Sequence, residues 1–373
     1  MSRPAFLAAA RRTPVAPRGG ALSDVDLFAL AVAPMLAALS DAGISAERVD
    51  EVIIGNAIGP GGNPARSISL AAGIAESTAG LTLDRQCCSG LDALLLAEAQ
   101  IARGADVVLA GGVEQYSRRS YRGWSERDPD DRDPFEQARF TPWPDRDPPM
   151  AVAADNLGRE LGISRQSQDE WSVESHRKAL RLRPRRNPEL VPVPGIDLDV
   201  DSYGRKLSMV ICQRARRICG SITAANASVA ADGGAICVLV SEEIAGGLDR
   251  PVVRLVGGTT IGGDPELPGL APVEAMNATL GQAGLNVTDI SVAEIMEAYA
   301  VQAIACVNGV GLSPSIVNPG GGSLARGHPV GASGAILAVR LYHELVERRE
   351  RFGIAAIAAA GGLGTAVLLE YRS

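Results

Sequence analysis

The 373-residue chain is 46% hydrophobic, which is enough to bury a large core in two or three domain-sized units. Its formal net charge of −7 argues against a general polyanion partner, because binding to nucleic acid or to a membrane surface usually needs a basic surface. The first residues lack a secretory apolar segment, and the longest apolar run, residues 27–39, is too short to span a bilayer. We therefore expect a cytoplasmic protein with no nucleic-acid and no membrane partner.

The cysteines exclude a further class of protein. They lie at positions 87, 88, 212, 219, 237 and 306, with neither paired CxxC spacing nor a histidine at ligand distance. A zinc site is therefore not expected, and in a reducing compartment the six cysteines should be free thiols.

The first third of the chain alternates predicted strands and helices. In order, these are strand 5–10, helix 26–42, strand 49–54, helix 65–75, a helix that follows Cys87, and strand 105–110. A helix between two continuous apolar strands is typical of a βαβ unit whose sheet is buried on both faces.

Cys87 lies at the turn where the extended segment 81–86 runs into its helix. Unpaired backbone N–H groups and the positive end of the helix dipole meet at such a turn, so we expect a thiol biased toward thiolate. Ser89 and Gly90 directly after it permit close approach of backbone and substrate. The pattern favours a nucleophile over the alternative, a cysteine buried as a small hydrophobic residue.

Residues 115–217 differ in character from the flanking sequence. The stretch 118–150 is dense in Asp, Arg and Pro and shows no periodicity, while residues 166–182 predict a helix capped by Ser164. Such an insertion most often serves as a lid or a substrate-binding wall. Core-like sequence returns at 221–240, with a strand predicted at 235–240.

The C-terminal part repeats the order of the N-terminal part. Its predicted elements are strand 251–256, helix 273–282, strand 292–296, helix 336–346 opened by residues 331–335, and strand 354–360. Two copies of one α/β unit are therefore predicted. If they pair about a pseudo-two-fold axis, the N-termini of their central helices face one crevice, with Cys87 on one side and His328 on the other.

His328 lies in the glycine-rich stretch 318–334. Residues 322–327 have the spacing of a phosphate-binding loop, but His328-Pro329 stands where that loop needs Lys and Ser or Thr, so a phosphate loop is rejected. A lone histidine is more often structural. Since the chain has only three histidines, one opposite an activated cysteine is better interpreted as its base.

Five sequence motifs together resemble those of the thiolases, and the resemblance, to a divergent member of that family, runs nearly end to end. They are residues 86–91 around Cys87, Gly111 to Glu114, residues 150–157, residues 226–228 with Asp232-Gly233, and residues 327–334 around His328. The resemblance implies an α/β protein with the five-layered α/β/α/β/α fold, built from two duplicated halves and an inserted loop domain. The halves would be residues 1–114 with 218–247, and residues 248–373, with the insertion, 115–217, on the coenzyme A side.

The resemblance also implies the chemistry. The substrate would be a coenzyme A thioester, with no permanently bound cofactor and no metal, and the assembly a homodimer or a dimer of dimers. Cys87 would be acylated in a ping-pong cycle after activation by His328. The remaining implied site residues are the backbone N–H groups of Cys87 and Ala360 as an oxyanion hole, and Ser228, Met150 and Gly361 as contacts to the substrate or its coenzyme A.

Two family positions are altered. Thiolases carry Asn-Glu-Ala-Phe where this chain has residues 296–299, so Met296 replaces an amide that positions a water. Ala358 stands in place of the second reactive cysteine, which shuttles the α-proton of the condensing acetyl group. We therefore expect an acyltransferase that passes the acyl group from Cys87 to an amine, alcohol, water or other thiol, or accepts a decarboxylating donor, with ordinary Claisen chemistry impaired.

Three alternatives stay open from the sequence. A conventional acetyl-CoA acetyltransferase or 3-ketoacyl-CoA thiolase could persist if Cys88 or Glu297 shuttles the proton. A non-catalytic subunit could keep the fold only to bind a partner or an acyl-CoA. A retro-aldolase acting on coenzyme A thioesters fits less well, because it would not need the acylating cysteine.

Overall fold

The structure, a computed structural model, describes residues 3–123, 135, 137–182 and 187–372. The strands are β1 Ala5–Arg12, β2 Ala16–Pro17, β3 Glu51–Gly55, β4 Ala79–Leu83, β5 Val107–Gln115, β6 Arg217–Cys219, β7 Ile222–Thr223, β8 Ala231–Ser241, β9 Val253–Gly262, β10 Val292–Ile295, β11 Phe352–Ala359 and β12 Leu363–Tyr371. The helices are α1 Leu27–Ala42, α2 Pro64–Ala71, α3 Ser89–Ala102, α4 Met150–Glu160, α5 Arg165–Leu182, α6 Met209–Gln213, α7 Glu242–Gly246, α8 Ala271–Ala283, α9 Ala300–Val310, α10 Ser323–Arg326 and α11 Val330–Arg348.

Most strands join one sheet, in the order β10-β11-β12-β9-β1-β8-β5-β3-β4. In the N-terminal half, β3 runs parallel to β5 and β5 antiparallel to β8. In the C-terminal half, β10 runs parallel to β11 and β11 antiparallel to β12. The halves meet where β1 pairs antiparallel with β9, from Ala5 opposite Leu255 to Leu7 opposite Val253. The predicted duplication is confirmed, and edge pairing makes the two sheets continuous.

The layers follow from alternation of side chains along the strands. On β5, Val108 and Ala110 pack into the core shared with α3 and α11, whereas Val107 and Leu109 pack with α1. The C-terminal half buries its second face in a separate core with α8 and α9. Since α3 and α11 contact each other and strands of both halves, they form the central layer, which confirms the five-layered α/β/α/β/α arrangement.

The N-termini of α3 and α11 pack unusually closely. A Cβ atom added to Gly90 would lie 2.6 Å from the Ala335 nitrogen, and one added to Gly334 would lie 2.4 Å from the Leu91 nitrogen. Any side chain at either glycine would force the two helices apart. These paired glycines explain why Gly follows Ser in both copies of the unit, and they bring the two helix starts to one crevice as predicted.

Some elements differ from the sequence-based expectation. Strand β5 continues through Gly111 and Gly112 to Gln115, because its partner β8 pairs with it as far as Asp232. Helix α4 was not predicted; its residues Ala154 and Leu157 form a small core with α9, which also was not predicted. Part of the Asp- and Pro-rich stretch, residues 124–134 and 136, lies outside the described residues.

Candidate active site

A tight turn presents Cys87 at the start of α3. Gln86, immediately before it, has a left-handed backbone with φ 47°, a conformation that non-glycine residues adopt mainly where the surroundings enforce it. The Ser89 hydroxyl enforces it here, since it donates to the Gln86 carbonyl at 2.6 Å and accepts from the Arg85 N–H at 2.8 Å. The Asp84 carboxylate accepts from the Gln86 N–H at 2.9 Å. Side-chain hydrogen bonds thus fix the backbone that carries the thiol.

His328 faces Cys87 from the C-terminal half. Its Nε2 lies 3.2 Å from the Cys87 Sγ, and its Nδ1 lies 2.6 Å from the Ser333 hydroxyl oxygen. The Ser333 hydroxyl donates its one proton to the Pro329 carbonyl at 2.9 Å, so it can only accept from the imidazole. The imidazole therefore carries its proton on Nδ1 and directs the Nε2 lone pair at the thiol. Such a pair can pass a proton directly.

The charge state of the pair differs from the expectation. Burial raises the pKa of Cys87 to about 12, and the nearby carboxylates of Glu114 and Asp84 act in the same direction. Burial lowers the pKa of His328 to about 4. The expected bias toward thiolate is wrong, because burial and two carboxylates outweigh the N–H groups at the helix start. Both shifts favour a neutral thiol and a neutral imidazole in the resting site.

Glu114 is a residue of the site whose role was not predicted. Its fully buried carboxylate accepts hydrogen bonds from the Gly331 N–H at 2.9 Å, the Ala57 N–H at 3.1 Å and the Asn56 amide at 3.0 Å. It thereby ties the start of α11 to the loop after β3, and burial raises its pKa to about 7. An acidic residue at the end of an otherwise apolar strand is the sequence signal that could have identified it.

The pair opens into a cavity of about 320 Å³. Its wall brings together, besides Cys87 and His328, the residues Ala57, Ile58, Asp84, Gln86, Tyr116, Arg122, Arg139, Phe140, Met150, Ser228, Ala298, Tyr299 and Ala360. Met150, Ser228 and Ala360, three of the predicted site residues, thus line the same cavity as Cys87 and His328. Gly361, with φ 76°, packs beside the Phe140 carbonyl next to this wall. The Ser228 hydroxyl donates to the Ser323 carbonyl at 2.9 Å, which leaves its oxygen free to accept.

The two altered positions contribute no polar group to the cavity. Met296 is 1% exposed and packs in the central core, and Ala358 is 8% exposed within β11. Cys88, one expected replacement for the proton shuttle, is also fully buried, and its thiol faces the Ile357 carbonyl at 3.5 Å. Cys88 therefore cannot reach a molecule in the cavity.

Glu297, the other expected replacement, serves a structural purpose. Its buried carboxylate accepts four hydrogen bonds, from the Trp171 indole at 3.0 Å, the Ser175 hydroxyl at 2.7 Å, the Asn318 amide at 2.9 Å and the Leu324 N–H at 3.2 Å. It joins α5 of the insertion to the glycine-rich loop before His328. Neither Glu297 nor Cys88, the two residues considered as substitute proton shuttles in the conventional alternative, is among the residues that line the cavity.

Three further features of the described residues concern the thiols, metal ions and membrane helices. All six cysteines are free thiols, as expected. Over the described ranges, no three His, Cys, Asp or Glu side chains cluster in a way that could hold a metal ion. None of the helices in these ranges combines the length and the apolar character needed to cross a bilayer.

The fold and the site define a family. The family model described as "Thiolase, N-terminal domain" matches residues 5–243, and the one described as "Thiolase, C-terminal domain" matches residues 249–371. Together they cover nearly the whole chain, so the protein belongs to the thiolase family. It is an enzyme of the acyltransferase class.

Individual relatives cover the chain from end to end. The acetyl-CoA acetyltransferase of Syntrophomonas wolfei is 34% identical over 394 residues, which span 99% of this chain and 100% of that protein. The crystal structure of the Bacillus anthracis acetyl-CoA acetyltransferase superposes with a TM-score of 0.92 at 34% identity, over 100% of this chain and 99% of that one. The human mitochondrial 3-ketoacyl-CoA thiolase in complex with CoA gives a TM-score of 0.90 at 31% identity, over 100% and 98%.

Proposed function

We propose that the enzyme takes an acyl group from a coenzyme A thioester onto Cys87. As Sγ attacks the thioester carbonyl, its proton passes to Nε2 of His328, which then returns it to the departing coenzyme A thiolate. The observation that carries this proposal is the 3.2 Å contact between Sγ and Nε2, with the Nδ1 proton held by Ser333. The human structure that contains CoA supports the choice of thioester.

The groups around the pair suit the remaining tasks. Cys87 and Ala360 both line the cavity, and their backbone N–H groups are the donors we propose for the oxyanion of the tetrahedral intermediate. Met150 and Ser228 line the same cavity, and Gly361 adjoins it, so we assign them to contacts with the thioester and its coenzyme A. No permanently bound cofactor is needed in this scheme.

For the acyl acceptor, we propose a conventional thiolase reaction, in which a second coenzyme A thioester or free coenzyme A takes the acyl group. The relatives named acetyl-CoA acetyltransferase support this choice, since they match the chain over its whole length. The positions of Met296 and Ala358 favour a second candidate, transfer to an amine, an alcohol, water or another thiol. Ala358 stands in place of an acid or base group, which typically contributes about 10²–10⁴ in rate, and Met296 in place of an amide that supports an oxyanion donor, which contributes about 10²–10³. Loss of both would slow carbon–carbon chemistry but not acylation of Cys87.

The test follows the two half-reactions separately. Mixing the enzyme with acyl-CoA esters should add one acyl mass to the intact protein. Cys87→Ala should abolish the adduct, whereas the matched control Cys306→Ala, at a buried thiol of α9, should keep it. No adduct with a broad range of acyl-CoA esters contradicts the proposal. Adding coenzyme A or acetyl-CoA, and in parallel an amine or an alcohol, then identifies the acceptor by the product released.

We further propose a homodimer, or a dimer of dimers, in the cytoplasm. Strand β4 lies at the end of the sheet order and leaves Leu81 40% exposed, so this edge can pair with a second copy. Six free cysteines suit a reducing compartment. Light scattering of the purified enzyme checks the assembly, and a monomer at micromolar concentration contradicts it.

A further inference from the structure

Tyr299 stands in the cavity wall where the thiolase pattern has phenylalanine. It precedes α9 with an extended backbone, φ −137° and ψ 146°. The chain on both sides is fixed, because the Ser228 N–H donates to the Ala298 carbonyl and the Ala300 N–H donates to the Asn226 carbonyl, each at 2.9 Å. The ring packs against the small core of α4 and α9 and lines the cavity that contains Cys87 and His328.

The Tyr299 hydroxyl is uncommitted. A tyrosine in a folded interior usually gives its hydroxyl a hydrogen-bond partner, and Tyr342 does so, with the Ala8 and Pro251 carbonyls each 3.3 Å from its oxygen. Within the ranges that the structure describes, no residue hydrogen-bonds the Tyr299 hydroxyl. The donor is therefore available to a molecule that occupies the cavity.

The surroundings make this hydroxyl a donor and not a base. Burial raises the pKa of Tyr299 to about 12, and the charge that Cys87 can carry is the next cause. The phenol accordingly stays protonated at neutral pH and lies close enough to the sulfur to sense its charge. A protonated phenol in a half-buried cavity stabilises an oxygen on which negative charge develops during a reaction.

We propose that Tyr299 is a catalytic hydrogen-bond donor to the second coenzyme A ester, the one whose α-carbon forms or breaks the carbon–carbon bond with the acyl group. The Tyr299 hydroxyl would donate to the thioester oxygen of that ester. This inference rests on the proposed function and deepens it, because it supplies in this chain a polar group that Met296 and Ala358 do not. The enolate formed when the carbon–carbon bond breaks would carry its charge on that oxygen.

The step balances with residues of this chain alone. In cleavage of a 3-ketoacyl thioester, Sγ of Cys87 bonds to the 3-keto carbon while its proton moves to Nε2 of His328. The bond between C2 and C3 then breaks, and its electron pair passes to the thioester oxygen, where the Tyr299 hydroxyl donates. His328 returns the proton to C2, and acyl-Cys87 remains. The low pKa of His328 makes its protonated form a strong acid, which suits this last transfer.

The experiment compares Tyr299→Phe with the native enzyme in two assays. Acylation of Cys87 by acetyl-CoA, measured by intact-protein mass, forms no enolate and should stay within about twofold. Cleavage of acetoacetyl-CoA by coenzyme A should fall by about 10²–10³, the usual effect of one such donor. Tyr342→Phe, which removes a hydroxyl outside the cavity, is the matched control and should leave both rates unchanged.

Each result is decisive. Unchanged cleavage in Tyr299→Phe overturns the inference, and so does an equal loss in both assays, which would place the hydroxyl in acylation or in folding. A native enzyme that is acylated but does not cleave acetoacetyl-CoA also overturns it, while acyl transfer through Cys87 stands. Failure of the proposed function looks different, because then Cys87 of the native enzyme is never acylated. Normal acylation of Tyr299→Phe shows that the variant is folded.

Discussion

The starts of the two central helices use one serine in two ways. Ser89 and Ser333 occupy the same position in the two copies, each followed by the glycine at which α3 and α11 touch. Ser89 donates to the Gln86 carbonyl and accepts from the Arg85 N–H, so it holds backbone. Ser333 donates to the Pro329 carbonyl and accepts from the His328 imidazole, so it holds a side chain.

This difference shows how one structural unit, present twice, holds two different side chains in place. The thiol of Cys87 lies directly at its helix start, where the backbone path decides the direction of a short side chain. The imidazole sits further upstream and reaches across to the other copy, so its ring orientation and tautomer need a partner of their own. The same strand, turn and helix, present in both copies, therefore places the thiol that we propose as nucleophile on one side of the cavity and the imidazole that we propose as its base on the other.

The largest effect is expected from removal of the base. His328→Asn keeps a polar side chain of similar reach but cannot accept the thiol proton, so acylation of Cys87 should slow by about 10²–10⁴. Rapid-quench mass spectrometry with acetyl-CoA measures the rate. His343→Asn is the matched control, because His343 lies on the same helix α11 with its Nε2 2.8 Å from the Ala10 carbonyl, away from the cavity. Equal rates in the two variants would remove His328 from the mechanism.

The sequence predicted much of this arrangement and missed its charge state. Periodicity and the repeated order of elements identified both copies. The glycines near Cys87 and around His328 indicated that these two residues belong to the site. The pKa of Cys87 was not predictable in the same way, because it depends on burial by distant elements and on Glu114, which β5 brings to the site from 27 positions along the chain.

The predicted end of strand β5 was wrong for a related reason. Gly111 and Gly112 read as the end of a strand, yet β8 pairs with them, and a Cβ atom at Gly112 would lie 2.2 Å from the Gly331 carbonyl oxygen. These glycines permit close packing against the start of α11 and do not break the strand. The local sequence shows that Gly112 has no side chain, but it does not show that the start of α11 packs there and requires a glycine.

The charge state of the thiol gives the second prediction. With the pKa of Cys87 raised to about 12, the thiolate fraction should grow about tenfold for each pH unit well below that value. His328, with a pKa lowered to about 4, stays neutral over the same range. Alkylation of Cys87 by iodoacetamide, followed by peptide mass spectrometry, should therefore accelerate by about a hundredfold from pH 6 to pH 8. A rate that is constant over this range would instead indicate a preformed thiolate–imidazolium pair.

The smallest effects should separate the two serines. Ser89→Ala leaves the Arg85 N–H and the Gln86 carbonyl without their partner in a half-buried turn, so it should lower the free energy of unfolding by about 0.5–1.5 kcal/mol. Ser333→Ala removes one acceptor from the imidazole, and acylation should slow by about tenfold, the rate equivalent of one such hydrogen bond. Denaturant unfolding and the acylation rate are measured on both variants.

Rescue distinguishes positioning of the imidazole from a general loss of packing at this helix start. Ser333→Thr retains the hydroxyl and should restore most of the acylation rate. If Ser333→Thr stays as slow as Ser333→Ala, or if both alanine variants lose the same stability and the same rate, the two serines do not divide their tasks. The imidazole would then owe its orientation to the backbone alone, which is held by the hydrogen bond from the backbone N–H of His328 to the Val229 carbonyl at 2.8 Å.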